Sequence, residues 1–426
     1  MNFHVNSRKI LECSSTLSVE IFVGDPGQTS TQPYVPSVLT GEKISGTVAI
    51  TATQSDLSFG NVHIWFQGEE STDIPSSKPD KATHQFLKIV QPVDYDALFS
   101  PKVFKRGKRY EVPFVFSVPD YLLPASCRHS DPLVRAAHLH LPPSCGDATI
   151  AGFGGKLRDD SAPDACKVVY SINVKIERPD ILSGIQYTML ERRLKVRIKP
   201  AVGEVPLPDL HTGSRLADED CLYQQQSVKT ATGAGSLAMT LEQPERFWHP
   251  LRDPISLISK AIRIVLVYTG AGATPPELKS LRAQIIVTTI YTTSLDSETH
   301  PPPKKRDFFN RPVNFRDAEL ALSIPSIPRV RWTLDETGSY TATLLVPVTL
   351  PKDKSFVPTF HSCLISRVYS LAFQISVKGA AEPWKLRAPM QIAAERDPSL
   401  LPSYNASVGV IDASPTCFHG IEVRQP

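Results

Sequence analysis

The chain has 426 residues, of which 41% are hydrophobic and 21% charged, with a formal net charge of +3. That length exceeds what a single core ordinarily serves and favours two units of about 200 residues each. The near balance of charge excludes a partner selected by bulk electrostatics, so no nucleic-acid partner is expected.

The 38 prolines exceed average usage. Proline is barred from helix interiors and central strands, so the chain reads as many short elements, all-β in class. Asp180 to Arg192 is one of few stretches with a helical reading. Seven cysteines, none in a C-x-x-C pair, fit reduced thiols in the cytosol better than a disulfide framework. The opening MNFHVNSRKILECSST lacks an apolar core long enough for a signal peptide. The strongest apolar run, Ile262 to Tyr268, is short and contains Arg263, so no bilayer span is expected. Without a secretory signal, the sequon Asn405-Ala406-Ser407 carries little weight.

In chain order, Leu17, Val19 and Ile21 open the first strand, with Ser18 and Glu20 on the other face. A turn at Gly41 leads into a strand containing Gly46, and a glycine within a strand marks a bulge or a close backbone approach. Arg109 to Pro119 places Tyr110, Val112, Phe114, Phe116 and Val118 on one face, while Pro113 on the opposite face predicts an edge strand or a bulge. Ala125 to Ala165 reads as an enlarged surface loop. Val168, Tyr170, Ile172, Val174 and Ile176 then share one strand face, Arg193 to Lys199 forms the next strand, and Pro200 to Gly213 is the expected connection between units. Further strands are expected at 235–242, 260–269, 281–293, 330–333, 339–350, 364–377 and 384–393. In 364–377, Tyr369, Leu371, Phe373, Ile375 and Val377 alternate with Ser370, Ala372, Gln374 and Ser376, the period of a half-buried strand. Strands without alternating helices suggest sandwiches, not a parallel sheet.

The run from Pro358-Thr359-Phe360 to Arg367-x-Tyr369-x-Leu371, after a strand ending in Leu350-Pro351, resembles the C-terminal sandwich of arrestin-like proteins, in particular the fungal α-arrestins. The opening is similar too: a turn with Gly41, then x-Ile44-x-Gly46-x-Val48, then a strand ending Phe66-x-Gly68. So is the Phe114-x-Phe116 strand running into proline, although Leu141-Pro142-Pro143-Ser144 comes later than the family pattern has it. The resemblance covers Leu17 to Ala393 and implies an arrestin fold, two immunoglobulin-like β-sandwich domains in tandem. The expected boundaries are 1–205 for the first sandwich, 206–395 for the second and 396–426 for a tail.

No G-x-S-x-G, P-loop, H-E-x-x-H or Rossmann fingerprint is present, and no catalytic residues are expected. The glycine-rich runs 152–155 and 270–272 read as turns, and the acidic runs 159–160 and 218–220 as polar surface. Cys127-x-His129, His138-x-His140 and Cys145 are chemically suited to zinc, but their spacing does not reproduce common structural zinc patterns. No metal or cofactor is therefore expected, and a metal-dependent enzyme centred on these residues stays a distant alternative.

Arg193, Lys195, Arg197 and Lys199 alternate with Leu194, Val196 and Ile198, so a strand would present its cations on one side. Such a face suits phosphorylated tails or an acidic lipid surface, or else is a solvated face balanced by carboxylates. Lys304-Lys305-Arg306 reads as an exposed basic loop. Leu401-Pro402-Ser403-Tyr404 follows the last expected strand and meets the [Leu/Pro]-Pro-x-Tyr motif, which presents a polyproline II turn to a WW domain. The resemblance then implies a non-enzymatic cytoplasmic adaptor, recruited peripherally to plasma or endosomal membrane. It would link a WW-domain HECT-type ubiquitin ligase, through Leu401, Pro402, Ser403 and Tyr404, to membrane transporter or receptor cargo for ubiquitination and endocytosis. The alternative is an arrestin-fold trafficking or signalling scaffold without ligase recruitment.

Overall fold

The computed structural model describes residues 8–13, 16–24, 35, 37–74, 80–94, 98–153, 157–180, 184–201, 222–249, 258–270, 273–295, 313–324 and 330–394. It is built from strands in several sheets, nearly all antiparallel, with a single short α-helix, Pro132–His138, among the described residues. No helix there is long and apolar enough to cross a membrane.

In the first half, one sheet runs in the order Arg8–Cys13, Leu17–Val23, Lys43–Ala52, Arg109–Ser117, and a second runs Gln186–Val196, Cys166–Pro179, Asn61–Ile74, Asp80–Gln91. Both contribute to one hydrophobic core. Leu17, Val19, Ile21 and Val23 enter it from the first sheet, as do Phe114 and Phe116. Val168, Tyr170, Ile172, Val174 and Ile176 enter from the second. Phe66 spans the gap, with its ring 6.0 Å from Phe116 and 5.8 Å from Tyr170. The buried Tyr170 hydroxyl donates to the Pro142 carbonyl at 2.6 Å, which satisfies the ring's one polar atom.

Arg109–Ser117 lies at the sheet edge, which accommodates Pro113 opposite Thr47. Gly46 sits where backbones close in: a Cβ there would lie 2.0 Å from the Phe22 carbonyl oxygen and 2.5 Å from Phe114 Cζ. Two expectations need correction. The helical reading of Asp180 to Arg192 fails, because Gly184, at φ +69, is followed by the strand Gln186–Val196. Leu190 and Leu194 of that strand reach the core by pairing along Cys166–Pro179, and tertiary pairing outweighs local helix propensity. Nor is Ala125 to Ala165 merely a surface loop: Cys127, His129, Val134, Ala137, His138, Leu141, Cys145 and Ile150 are buried.

In the second half, one sheet runs Tyr223–Thr230, Gly233–Leu241, Ser259–Thr269, Tyr340–Thr349, Thr333–Leu334. The other runs Val313–Leu322, Leu278–Thr292, Ile365–Val377, Phe360–His361, with Trp384–Met390 also on Ile365–Val377. The second core lies with these sheets. Tyr369, Leu371, Phe373, Ile375 and Val377 all enter it, as the alternation predicts. The strand shifts allegiance along its length, however: Leu364 and Ile365, with Val357 and Phe360, belong to the first core. Of the expected connection, residues 202–213 lie outside the described residues.

Candidate functional site

The two halves meet at a polar seam that depends on cross-strand register. Glu70 and His84 are direct partners on neighbouring antiparallel strands, so their side chains share a face. His84 Nδ1 lies 2.8 Å from Glu70 Oε1. The Glu70 side chain is fully buried, and its other oxygen accepts from the Ser362 hydroxyl and, at 3.3 Å, from the Leu364 amide. A buried carboxylate requires such partners. Farther along, Thr72 donates to the Thr292 carbonyl at 2.7 Å, Arg197 Nη2 donates to Ser355 Oγ at 2.7 Å, and Lys354 pairs with Asp159 at 2.6 Å. Arg367, 1% exposed, donates through Nη1 to the Asp160 carbonyl at 2.8 Å. Asp160 is itself fixed by the amides of Gly146 and Ala162. Burial lowers the Arg197 guanidinium from its ordinary value, with Asp160 acting against it.

Beside Glu70 lies a cluster of sulfur and imidazole groups. A 3-10 turn, Pro124–Ser126, delivers Cys127. Asp131 caps the helix that follows, accepting from the amides of Leu133 at 2.7 Å and Val134 at 3.2 Å, with Pro132 suited to the first turn. This helix ends at His138 and buries it. Cys363 comes from the turn between Phe360–His361 and Ile365–Val377. Cys127 Sγ is 3.2 Å from His129 Nδ1 and 3.6 Å from His138 Nδ1, and one ligating atom from each of Cys127, His129, His138 and Cys363 lies within 4.8 Å of the others. Hydrogen bonds from the Cys363 thiol and then from the two histidines outweigh burial and hold the Cys127 thiol well below its ordinary value. The contact with Cys127, together with burial, pushes Cys363 up.

Of the sulfur and imidazole groups singled out in the sequence, the structure thus joins Cys127, His129 and His138, and adds Cys363 from the other half. His140 instead pairs with Tyr121, their rings 4.9 Å apart, and burial lowers its pKa. Cys145 is bridged to Val168, and burial pushes its thiol up to about 12. Cys363, Glu70 and His84 were missed as site residues, since only tertiary pairing brings them to the loop.

Arg193 and Lys195 lie on the strand Gln186–Val196 and Lys199 on Ile198–Lys199, with Arg197 in the break between them, but the cations are engaged. Arg193 donates to Asn173 at 3.0 Å, and Lys195 binds Asp147 at 2.8 Å and Thr149 at 2.7 Å. Arg197 is held at Ser355, while Lys199 also has an interaction partner. Leu401-Pro402-Ser403-Tyr404, Lys304-Lys305-Arg306 and Asn405 to Ser407 lie outside the described residues. No protein-family model matches the chain, and no curated protein is significantly similar to it.

Proposed function

We propose that this chain is a cytoplasmic adaptor of two immunoglobulin-like β-sandwiches in tandem, which links a WW-domain HECT-type ubiquitin ligase to membrane transporters or receptors. The observation that carries the reading is the presence of two hydrophobic cores, each drawing on an antiparallel sheet pair, with polar contacts between the halves. Such a body offers broad sheet and loop surface for holding a protein partner. The ligase dock is Leu401-Pro402-Ser403-Tyr404, which follows in sequence the last strand among the described residues, Ile392–Ala394. Pro402 limits the entropy lost on docking and Tyr404 supplies an apolar ring with a hydroxyl. Contacts this short give affinities of about 1 μM, roughly −8 kcal/mol, so co-localisation at a membrane supplies the rest.

The test is a pull-down of full-length wild-type and Tyr404→Ala chains with WW-domain ligase, alongside thermal melts. The expected outcome is loss of ligase binding and of cargo ubiquitination with an unchanged melting temperature. Persisting ligase binding with a lowered melting temperature makes Tyr404 a packing residue and leaves the scaffold without ligase recruitment as the reading.

A further inference from the structure

We propose that Cys127, His129, His138 and Cys363 form a structural zinc site that pins the 125–140 segment to the second half of the chain. The proposal is independent of the ligase-adaptor reading.

The donor set is the first argument. Two thiolates and two imidazoles are the ligands of closed, four-coordinate structural zinc centres, and no position is left for substrate water. Geometry is the second. With Zn–S near 2.3 Å and Zn–N near 2.0–2.1 Å, a tetrahedron has S···N edges of about 3.6 Å. The observed separations from Cys127 Sγ are 3.2 Å to His129 Nδ1 and 3.6 Å to His138 Nδ1. The two rings stand edge to face, at 88° with centroids 4.6 Å apart, and the four ligating atoms all lie within 4.8 Å of one another. Charge is the third. Two thiolates neutralise a divalent ion, and the resulting neutral centre suits a site whose ligands are all buried.

His138 is 2% exposed, and its Nε2 has no hydrogen-bond partner. The ring's engaged nitrogen is Nδ1, aimed at the Cys127 sulfur; a metal there would fix Nε2 as the N–H without giving it an acceptor, so it is the Nδ1 geometry and not the orphaned atom that points to a metal. The neighbouring group of Glu70, His84 and Cys363 is a poorer site, because both Glu70 oxygens are already engaged by His84, Ser362 and Leu364. Three ligands come from the 125–140 segment and the fourth from the turn before Ile365, so one ion closes the seam between halves distant in sequence. Ligation requires both thiols to be deprotonated, and their protons are released to solvent as the ion binds.

The experiment uses the full chain, purified reduced and without chelator. Elemental analysis should find zinc in equimolar amount. Replacement by cobalt should give the visible d–d bands of a tetrahedral site and thiolate-to-cobalt charge transfer. Cys363→Ser should lower zinc content at least about tenfold, whereas His140→Asn, outside the site, should retain it. A chelator should lower the melting temperature by several degrees, since an ion that binds only the folded state stabilises it. The wild-type cobalt spectrum decides the matter even where Cys363→Ser fails to fold. Substoichiometric zinc with no tetrahedral cobalt spectrum overturns the proposal, and so does a Cys127–Cys363 disulfide found by mass spectrometry in a parallel preparation made without reductant.

Discussion

The contact between Gly46 and Phe114 allows a quantitative test of the first core. Phe114 is 1% exposed and packs over Gly46, its partner across the strand pair. Phe114→Ala removes a buried ring and leaves a cavity, at a cost of about 3–5 kcal/mol. Gly46→Ala creates the opposite fault, a Cβ 2.5 Å from Phe114 Cζ and 2.0 Å from the Phe22 carbonyl oxygen. Overpacking of this kind costs about 1–3 kcal/mol or somewhat more. The two contacts differ in how they can yield: the ring can swing away, but the carbonyl belongs to the adjacent strand, Leu17–Val23, and is held by its ladder. The backbone clash should therefore dominate. Emptying the Phe114 position should rescue Gly46→Ala only in part: residues in contact couple by about 0.5–3 kcal/mol, so the double variant should lose less than the sum of the singles yet remain less stable than Phe114→Ala alone. Urea denaturation of the wild type, both singles and the double measures the cycle. If Gly46→Ala is neutral, or the double variant is no less stable than Phe114→Ala alone, the close-approach reasoning is wrong.

Glu70→Ala should cost several kcal/mol, about 1–3 for each buried donor left without its acceptor, as read from denaturant midpoints; a loss below about 1 kcal/mol would show that the Ser362 and Leu364 donors find other partners. The hydrogen bond from Lys354, then that from the Ser161 amide, hold Asp159 below its ordinary value of 3.8. A depressed carboxylate contributes stability that is complete above its unfolded pKa and is lost as pH falls through the folded one. Asp159→Asn should therefore flatten the stability profile below about pH 4, while costing under about 1 kcal/mol at neutral pH because Asp159 is largely exposed; an unchanged acid limb in thermal melts would remove this pair from the account. Lys195→Glu sets two carboxylates together at the nearly buried Asp147 and should lower the melting temperature, whereas Arg193→Glu, on an exposed residue, should stay within about 0.5 kcal/mol of wild type. Equal losses in the two variants would mean that the Asp147 pair carries no special weight.

What could be read in the sequence was whatever repeats over short distances. Tyr369 to Val377 and Val168 to Ile176 declare themselves because a strand with one buried face must alternate. Pro113 and Gly46 were equally legible, one as an edge residue and the other as a close approach. The seam was not, since nothing near Glu70 shows that Ser362 will reach it, nor does anything near Cys127 point to Cys363. The Pro132–His138 helix was overlooked although its signal is present: Asp131 followed by Pro132 is a helix start. Its brevity hid it, for seven residues are too few to display a periodic face.

The strand that begins in one core and ends in the other makes the halves poor candidates for separate lives. A fragment stopping near residue 205 would lack Val357, Phe360, Leu364 and Ile365, and the socket these side chains fill would open to water. A fragment starting after that point would carry the same residues as an uncovered apolar edge, a surface prone to self-association. Any chimera that exchanges one half for that of another protein must therefore move the 357–365 stretch together with the first half. A junction placed midway along the chain, where the eye would put it, cuts through a shared part.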